Sequence, residues 1–382
     1  MIALPATSNF PAQYEARHAQ GTPLFQILQD HLETFLAHLE QDPESMGGYL
    51  RPEVKSTLEK FMECGILRFG FARTHCDDCG HEKLLPLSCR FRGFCPSCHA
   101  RRLAEWSDWV LDTVLPDVRY RQWVLSWPKR LRVYFLYDDD LFRAFSHIVY
   151  EVLTEWMQTV LGEPDARPAM VACDQTFGTL LDYHPHSHMV VSHGVFRPDG
   201  TFVEMTSVRP EDLRTLERVL ASRLLTLLVR REKLRPGDRK AMLSWPHLGF
   251  SLDASVGVHA GSREELRRLL CYIYRHPFRL EGITYDEERG QVVYQARRAH
   301  GLKGTDTQEF GPVEFISALA RHIPPPNKHQ VRYYGAAHRD FRAEMGDGWV
   351  PPGISPSSGG PEEGRASWAR LIWRVYGVDP LI

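Results

Sequence analysis

With 382 residues, the chain is long enough for two domains, and its 43% of hydrophobic and 25% of charged residues are ordinary for a globular protein. The formal net charge of −2 excludes a uniformly basic nucleic-acid-binding protein, so any DNA binding must come from local basic patches. No run of about 20 apolar residues and no N-terminal signal peptide is present, so we expect a cytoplasmic protein.

Hydrophobic periodicity and turn residues predict interleaved helices and strands. The predicted helices cover residues 24–42, 103–115, 139–161, 212–234, 262–274, where Ser262 and Glu265 suggest a capping box, and 313–322. The predicted strands cover residues 121–127 and 249–258, with hairpins over 180–205 and 283–296. A Gly-, Pro- and Ser-rich linker over 345–365 and a last short helix over Trp368–Tyr376 follow. This order predicts an α+β sheet domain preceded by a helical one.

The cysteines are concentrated in one segment, since six of the eight fall between residues 64 and 98. In a protein of this size such clustering indicates a metal site rather than a disulfide scaffold. Two C-x-x-C pairs, CDDC and CPSC, have zinc-ribbon spacing and predict a structural zinc about 2.3 Å from each sulfur. The predicted ligands are Cys76, Cys79, Cys95 and Cys98. Cys64 and Cys89 are interpreted as packed thiols, and nothing in the sequence favours His75, His81 or His99 as substitutes.

Arginines flank the second cysteine pair, with Phe91 and Phe94 between them: Arg90, Arg92, Arg101 and Arg102. Basic residues interleaved with aromatic ones suit phosphate contact combined with base stacking, so these arginines are candidate nucleic-acid contacts. A solvated charged face without any ligand is the alternative interpretation.

Three histidines alternate in the segment YHPHSHMVVSH, which spans residues 183–193. On a strand His184, His186 and His188 project from the same face, and imidazoles one pleat apart can bind one divalent ion. Such an ion would polarise a scissile phosphate as a Lewis acid. A third ligand is needed, and Gln175 and Glu204 are weak candidates.

A tyrosine near the end of the helix 262–274 is the candidate nucleophile. Tyr272 and Tyr274 are two residues apart, so they point about 200° away from each other and only one can face the metal. We favour Tyr272, because a phosphotyrosine conserves the bond energy needed to rejoin strands, and Arg275 could neutralise the phosphate. On spacing alone, simple packing of Tyr272 against the sheet is the more common outcome.

Together these motifs resemble the transposases of the insertion sequence ninety-one type. That family belongs to the HUH (His-hydrophobe-His) endonucleases and carries a zinc-binding domain in front. The matching segments, which span about residues 20–338, are CGILRFGFARTHCDDCG, SCRFRGFCPSCHARR, VRYRQWVLSWPKRLR, HPHSHMVVSHGVF, YIYRHPF and ARHIPPPNKHQVRYYG.

The resemblance implies a role for each motif. His186 and His188 would be the HUH pair that binds Mg²⁺ or Mn²⁺, with His184 just upstream, and Tyr272 would be the nucleophile. The fold implied is an HUH-endonuclease-like antiparallel sheet flanked by helices. The partners implied are single-stranded DNA at the element ends and the target, with no membrane or nucleotide cofactor and with a prokaryotic, nucleoid-associated location. Cleavage would give a 5′-phosphotyrosine and a free 3′-OH in rolling-circle transposition.

The implied domains are a zinc-ribbon DNA-binding domain (20–112), an HUH tyrosine nuclease domain (118–338) and a linker with a C-terminal helix (339–382). Two departures from the family pattern stand out. Ser187 replaces the bulky hydrophobe between the histidines, where it should point away from the metal. No second tyrosine lies four residues from Tyr272, so the chain is expected to use one tyrosine unless Tyr274 or the Tyr333–Tyr334 pair supplies another.

Three alternatives share parts of this chemistry. One is a catalytically decayed or domesticated zinc-ribbon DNA-binding protein. Another is a replication initiator or relaxase, against which the zinc ribbon and the downstream segments argue. The last is a metallohydrolase that activates water with the histidines and needs no tyrosine.

Overall fold

The computed structural model describes residues 19–41, 51–90, 93–138, 140–296 and 306–345. The last predicted helix and nearly all of the predicted linker lie outside these residues. Among the described residues, no helix is both long and apolar enough to cross a membrane.

Helices and strands alternate along most of the described chain. The helices are α1 (Pro23–Gln41), α2 (Pro52–Glu63), α3 (Pro96–Trp109), α4 (Arg132–Tyr137), α5 (Asp140–Leu161), α6 (Pro210–Arg230), α7 (Pro236–Leu243), α8 (Arg263–Ile273), α9 (Pro312–Ala320) and α10 (Arg339–Met345). The strands are β1 (Phe71–His75), β2 (Glu82–Pro86), β3 (Tyr120–Ser126), β4 (Ala169–Phe177), β5 (Tyr183–Ser192), β6 (Gly194–Phe196), β7 (Phe202–Glu204), β8 (Ser251–Asp253), β9 (Gly257–Val258), β10 (Ile283–Asp286), β11 (Gln291–Gln295), β12 (Thr307–Phe310) and β13 (Val331–Gly335).

An antiparallel sheet of order β13-β4-β5-β3-β8, with β9 also paired to β3, forms the centre of the molecule. Its middle strands β4 and β5 are buried on both faces, which explains their apolar runs AMVAC and MVVS. On one face Met189 and Val191 pack with α5 and α6. On the other face Val171 and Val190 pack with α8. The sheet therefore presents its even-numbered β5 residues to α8.

A second core joins the two ends of the described chain. Apolar residues of α1 and α2, such as Phe35 and Phe61, are buried with Val292 of β11 and Phe315 of α9. A three-stranded antiparallel sheet, β10-β11-β12, completes this unit. The N-terminal helices therefore share their hydrophobic core with a segment that the sequence analysis assigned to the nuclease domain.

The predicted α+β class is confirmed, with helices, an antiparallel sheet and an N-terminal helical region that contains the cysteine cluster. The helix predicted over 139–161 is α5, and the hairpin predicted over 283–296 is β10–β11. The strand predicted over 249–258 is broken into β8 and β9. The prediction of a capping box at the start of α8 is wrong, because the Ser262 side chain makes no capping hydrogen bond.

Gly335, at the end of β13, has a positive φ of 56°, and a Cβ there would lie 2.0 Å from the Pro168 carbonyl oxygen. We expect Gly335→Ala to lower the free energy of unfolding by about 1–3 kcal/mol for the backbone strain, with a further loss from the clash. Gly290→Ala is the matched control, since Gly290 has φ 59° but open space around its Cβ position. Chemical denaturation would measure the free energy of unfolding of both variants, and equal losses in the two would contradict a steric role for Gly335.

Candidate active site and metal centres

Four cysteine thiols converge between the end of α2 and the start of α3: Cys64, Cys89, Cys95 and Cys98. The sulfur of Cys98 lies 3.8 Å from that of Cys64 and 3.6 Å from that of Cys89. Sulfurs held about 2.3 Å from a tetrahedral zinc are separated by about 3.8 Å, so the cluster has the dimensions of a structural Cys₄ zinc site.

Backbone contacts bring the first two of these cysteines together. The Gly65 N–H donates to the Leu87 carbonyl (2.9 Å), and the Cys89 N–H donates to the Cys64 sulfur (3.3 Å). Hydrogen bonding from Cys89 also lowers the pKa of Cys64 to about 7. A thiol that ionises near neutral pH suits metal binding, because zinc takes the thiolate.

This set corrects the predicted ligands. Cys95 and Cys98 belong to the cluster, but Cys76 and Cys79 lie in the turn between β1 and β2 and do not join it. Their places are taken by Cys64 and Cys89, which the sequence analysis interpreted as packed thiols. The spacing rule failed because the β1–β2 hairpin is inserted between the ligands. In the sequence, the closeness of Cys89 to the CPSC pair was the signal that could have identified Cys89 as a member of the cluster.

The candidate DNA-binding arginines have different positions. Arg90, Arg101 and Arg102 are exposed beside the cysteine cluster, and Arg101 forms an ion pair with Glu105 at 3.0 Å. Arg92 and Phe91 lie outside the described residues. Phe94 is fully buried in the second core, so it is not available for base stacking.

Strand β5 presents the imidazoles of His186 and His188 to the α8 side of the sheet, with their Nε2 atoms 3.0 Å apart. His186 Nδ1 donates to the His184 carbonyl (2.7 Å), so its Nε2 carries a lone pair. Burial lowers the pKa of His186 to about 4 and holds the pKa of His188 well below its usual range. Both rings are therefore neutral near pH 7, as metal ligation requires.

Gln122 of β3 holds the other nitrogen of His188, with its amide nitrogen 2.9 Å from Nδ1. In this arrangement the His188 proton lies on Nε2, between the two rings. Metal ligation by Nε2 requires that proton on Nδ1, with the amide turned so that its oxygen accepts it. The sequence analysis missed this contact of Gln122 with His188, and a polar residue inside the strand RQWVLSW was the signal.

His184 also faces this side of the sheet, with its ring centroid 5.2 Å from that of His186. Its Nε2 is buried and has no hydrogen-bond partner among the described residues. Burial also lowers the pKa of His184. The three histidines therefore project from the same face of the strand, as their alternation in the sequence predicted.

Gln175 is the better placed of the two candidate third ligands. It lies directly opposite His186 in the β4–β5 register, and its amide nitrogen donates to the Ile273 carbonyl (2.7 Å). Its Oε1 atom is buried without a partner among the described residues. Glu204 lies instead on β7, in a separate two-stranded sheet and 3.7 Å from Arg119.

Tyr272 of α8 lies beside the histidines, with its ring centroid 5.5 Å from that of His188. Its side chain is 43% exposed, whereas Tyr274 is buried against His99. The guanidinium of Arg275 lies over the Tyr272 ring, 4.8 Å from its centroid. The phenol predicted to act as nucleophile therefore meets the imidazoles on one side of the sheet.

The cysteine cluster and the tyrosine helix are connected by His99, the residue after Cys98. His99 is buried in α3, and its Nε2 donates to the Tyr274 carbonyl at the end of α8 (2.7 Å). Arg267 of α8 adds an ion pair to Asp108 of α3 at 2.9 Å. His99 is thus a support for α8 and not a member of the cysteine cluster.

Comparison with protein families identifies two models that match adjacent parts of the chain. The model described as "Transposase zinc-binding domain" matches residues 27–127, and the one described as "Putative transposase" matches residues 169–344. The first contains the cysteine cluster, which supports a structural zinc there. The second contains the histidines and Tyr272.

Two curated relatives cover most of the chain. The chain is 29% identical to the "Transposase for insertion sequence element IS801" of Pseudomonas savastanoi pv. phaseolicola, over 78% of this chain and 72% of that protein. It is 26% identical to the "Putative transposase y4qJ" of Sinorhizobium fredii, over 70% of each. No solved structure matches significantly.

We expect Cys89→Ser to remove about one zinc ion per chain and to lower the melting temperature, because a structural zinc contributes folding free energy. Cys271→Ser is the control, since Cys271 is also half-buried but lies outside the cluster. Elemental analysis would measure the zinc content of both variants, and calorimetry would measure their melting temperatures. Full zinc content in Cys89→Ser would contradict the assignment.

Proposed function

We propose a DNA strand-transfer mechanism for this chain, which belongs to the transposases of the insertion sequence IS91 type and carries their N-terminal zinc-binding domain. The chain would cleave and rejoin single-stranded DNA through a 5′-phosphotyrosine on Tyr272 during rolling-circle transposition. One observation carries the proposal: Tyr272 of α8 lies next to the neutral imidazoles of β5 on the same face of the sheet.

The residues present fit a divalent cation. His186, His188 and the unpartnered oxygen of Gln175 would hold Mg²⁺ or Mn²⁺, and water and phosphate oxygens, which both ions prefer, would supply the remaining ligands. When bound, the ion would polarise a scissile phosphate and stabilise its developing charge. His184 stands one pleat away with an unpartnered nitrogen and is a candidate additional ligand.

The cleavage step uses the Tyr272 hydroxyl, the DNA phosphate and solvent, which exchanges the protons. The Tyr272 hydroxyl oxygen attacks the phosphorus and loses its proton to solvent. The bond from phosphorus to the 3′ oxygen breaks, and that oxygen takes up a proton to give a free 3′-OH. Arg275 is exposed beside Tyr272, where its positive charge would attract the phosphate. Rejoining is the reverse attack by a 3′-OH on the phosphotyrosine.

The surroundings of the other candidate tyrosines favour a single nucleophile. Tyr274 is 6% exposed. The Tyr333 hydroxyl accepts a hydrogen bond from Trp106 at 2.7 Å, and burial raises its pKa to about 12. The Tyr334 hydroxyl is bonded to Ser146 at 2.8 Å on the other face of the sheet.

We expect Tyr272→Phe to reduce formation of a covalent protein–DNA adduct by roughly three orders of magnitude or more, because it removes the nucleophile. The assay is a denaturing gel of protein incubated with Mn²⁺ and a 3′-labelled single strand carrying an element end. Tyr334→Phe should keep the adduct.

Two of the alternative functions give their own results in this assay. Strand cleavage that persists in Tyr272→Phe would indicate a metallohydrolase. Absence of an adduct with the intact protein, across suitable element ends, would indicate a decayed DNA-binding protein. Either result would contradict the proposed mechanism.

We expect Gln175→Leu to weaken Mn²⁺ binding by roughly 10- to 100-fold, because a ligand oxygen is lost. Gln175→Glu should bind Mn²⁺ at least as tightly as the unmodified chain, since a carboxylate is a stronger ligand for hard cations. Gln308→Leu on β12, in another sheet, is the control. Titration calorimetry would measure the affinities, and an unchanged affinity in Gln175→Leu would exclude Gln175 as a ligand.

A further inference from the structure

The hairpin of β1 and β2 carries the two cysteines that the Cys₄ cluster leaves out. Nearly every residue of both strands is exposed, so the described residues leave both faces of the hairpin largely uncovered. A two-stranded hairpin alone is marginally stable in water, so this one calls for an additional source of stability. Metal binding by the two cysteines in the turn would provide this additional stability.

The turn is built to hold two sulfurs on one side. The Cys79 side chain and the backbone of Asp78 and Cys79 surround the Cys76 sulfur. The Gly80 N–H donates to the Cys76 carbonyl (2.8 Å), and Gly80 adopts a positive φ of 68° that closes the turn. Such a C-x-x-C turn supplies two of the four ligands of a tetrahedral zinc.

Two further ligands are not gathered around these thiols among the described residues. No third histidine, cysteine or carboxylate of the described ranges forms a ligand group with these two thiols. The nearest candidate on β1, His75, is paired with Glu82 at 3.3 Å. A second copy of the chain carries an identical pair of thiols on an identical exposed hairpin.

We propose that Cys76 and Cys79 from two copies of this chain hold one zinc between them and join the copies hairpin to hairpin. The zinc would complete a second Cys₄ tetrahedron on a two-fold axis, where equivalent residues of the two copies meet. This inference is independent of the strand-transfer mechanism, because it uses no residue of the tyrosine site.

The surface of the hairpin fits this partner. Phe71 and Leu84 lie on the same face of the hairpin and are 50% and 45% exposed. Large apolar side chains exposed together indicate a protein contact. The charged residues of the hairpin include both signs, with Arg73 paired to Glu82, so the surface favours a protein over a nucleic acid.

Native mass spectrometry of the full chain, with zinc counted in each species, tests the proposal. We expect a dimer carrying three zinc ions, one in each Cys64-containing cluster and one shared. The double variant Cys76→Ser/Cys79→Ser should be a monomer with one zinc. The control variant Asp77→Ser changes a fully exposed residue between the two cysteines, and it should remain a dimer with three zinc ions.

Other outcomes would overturn the proposal. A monomeric unmodified chain with two zinc ions would show that residues of the same chain complete the second site. A monomer with one zinc would show that Cys76 and Cys79 hold none. A dimer that survives in the double variant would show that the copies meet through another surface. Circular dichroism of the double variant would establish that it remains folded.

Discussion

The antiparallel register between β4 and β5 is the constraint on which the tyrosine site depends. It sets Gln175 opposite His186 and Cys173 opposite His188, so Gln175 lies on the same face as the two histidines proposed to bind a metal. A slip of one residue would turn the imidazoles toward the core formed with α5 and α6. The apolar pairs Val171–Val190 and Ala172–Met189 in the same strands resist that slip, because each fits only its own side of the sheet.

The cysteine cluster contributes to the same geometry from a distance. It holds the start of α3, and His99 on that helix bonds to the carbonyl at the end of α8, where Tyr272 lies. A carbonyl at the end of a helix lacks a partner within the helix, so this bond fixes the position of the last turn. The zinc-binding domain thus supports the tyrosine as well as any DNA contact by its arginines.

Local patterns in the sequence predicted much of this structure. Alternation identified the histidine face, and helical spacing separated Tyr272 from Tyr274, because both depend only on the geometry of one element. The complete cysteine cluster could not be predicted in the same way, since only Cys95 and Cys98 of its four members were expected. Cys64 and Cys95 are separated by a hairpin, and only tertiary folding brings them together. The preference for Gln175 over Glu204 as the proposed third ligand also required the pairing of strands, which spacing along the chain does not reveal. The shared core of Phe35 and Phe315 likewise crosses the predicted domain boundary.

Ser187, between the two histidines, points to the opposite face of the sheet and donates to Asp174 at 2.9 Å. Asp174 is buried and paired with Arg332 of β13. A bulky hydrophobe at position 187 would remove one partner of a buried carboxylate, which costs stability unless the acid and its arginine change too. Positions 174, 187 and 332 are therefore expected to be exchanged as a unit over evolution. A chain that regains the hydrophobe between its histidines should also have lost this acid–base pair.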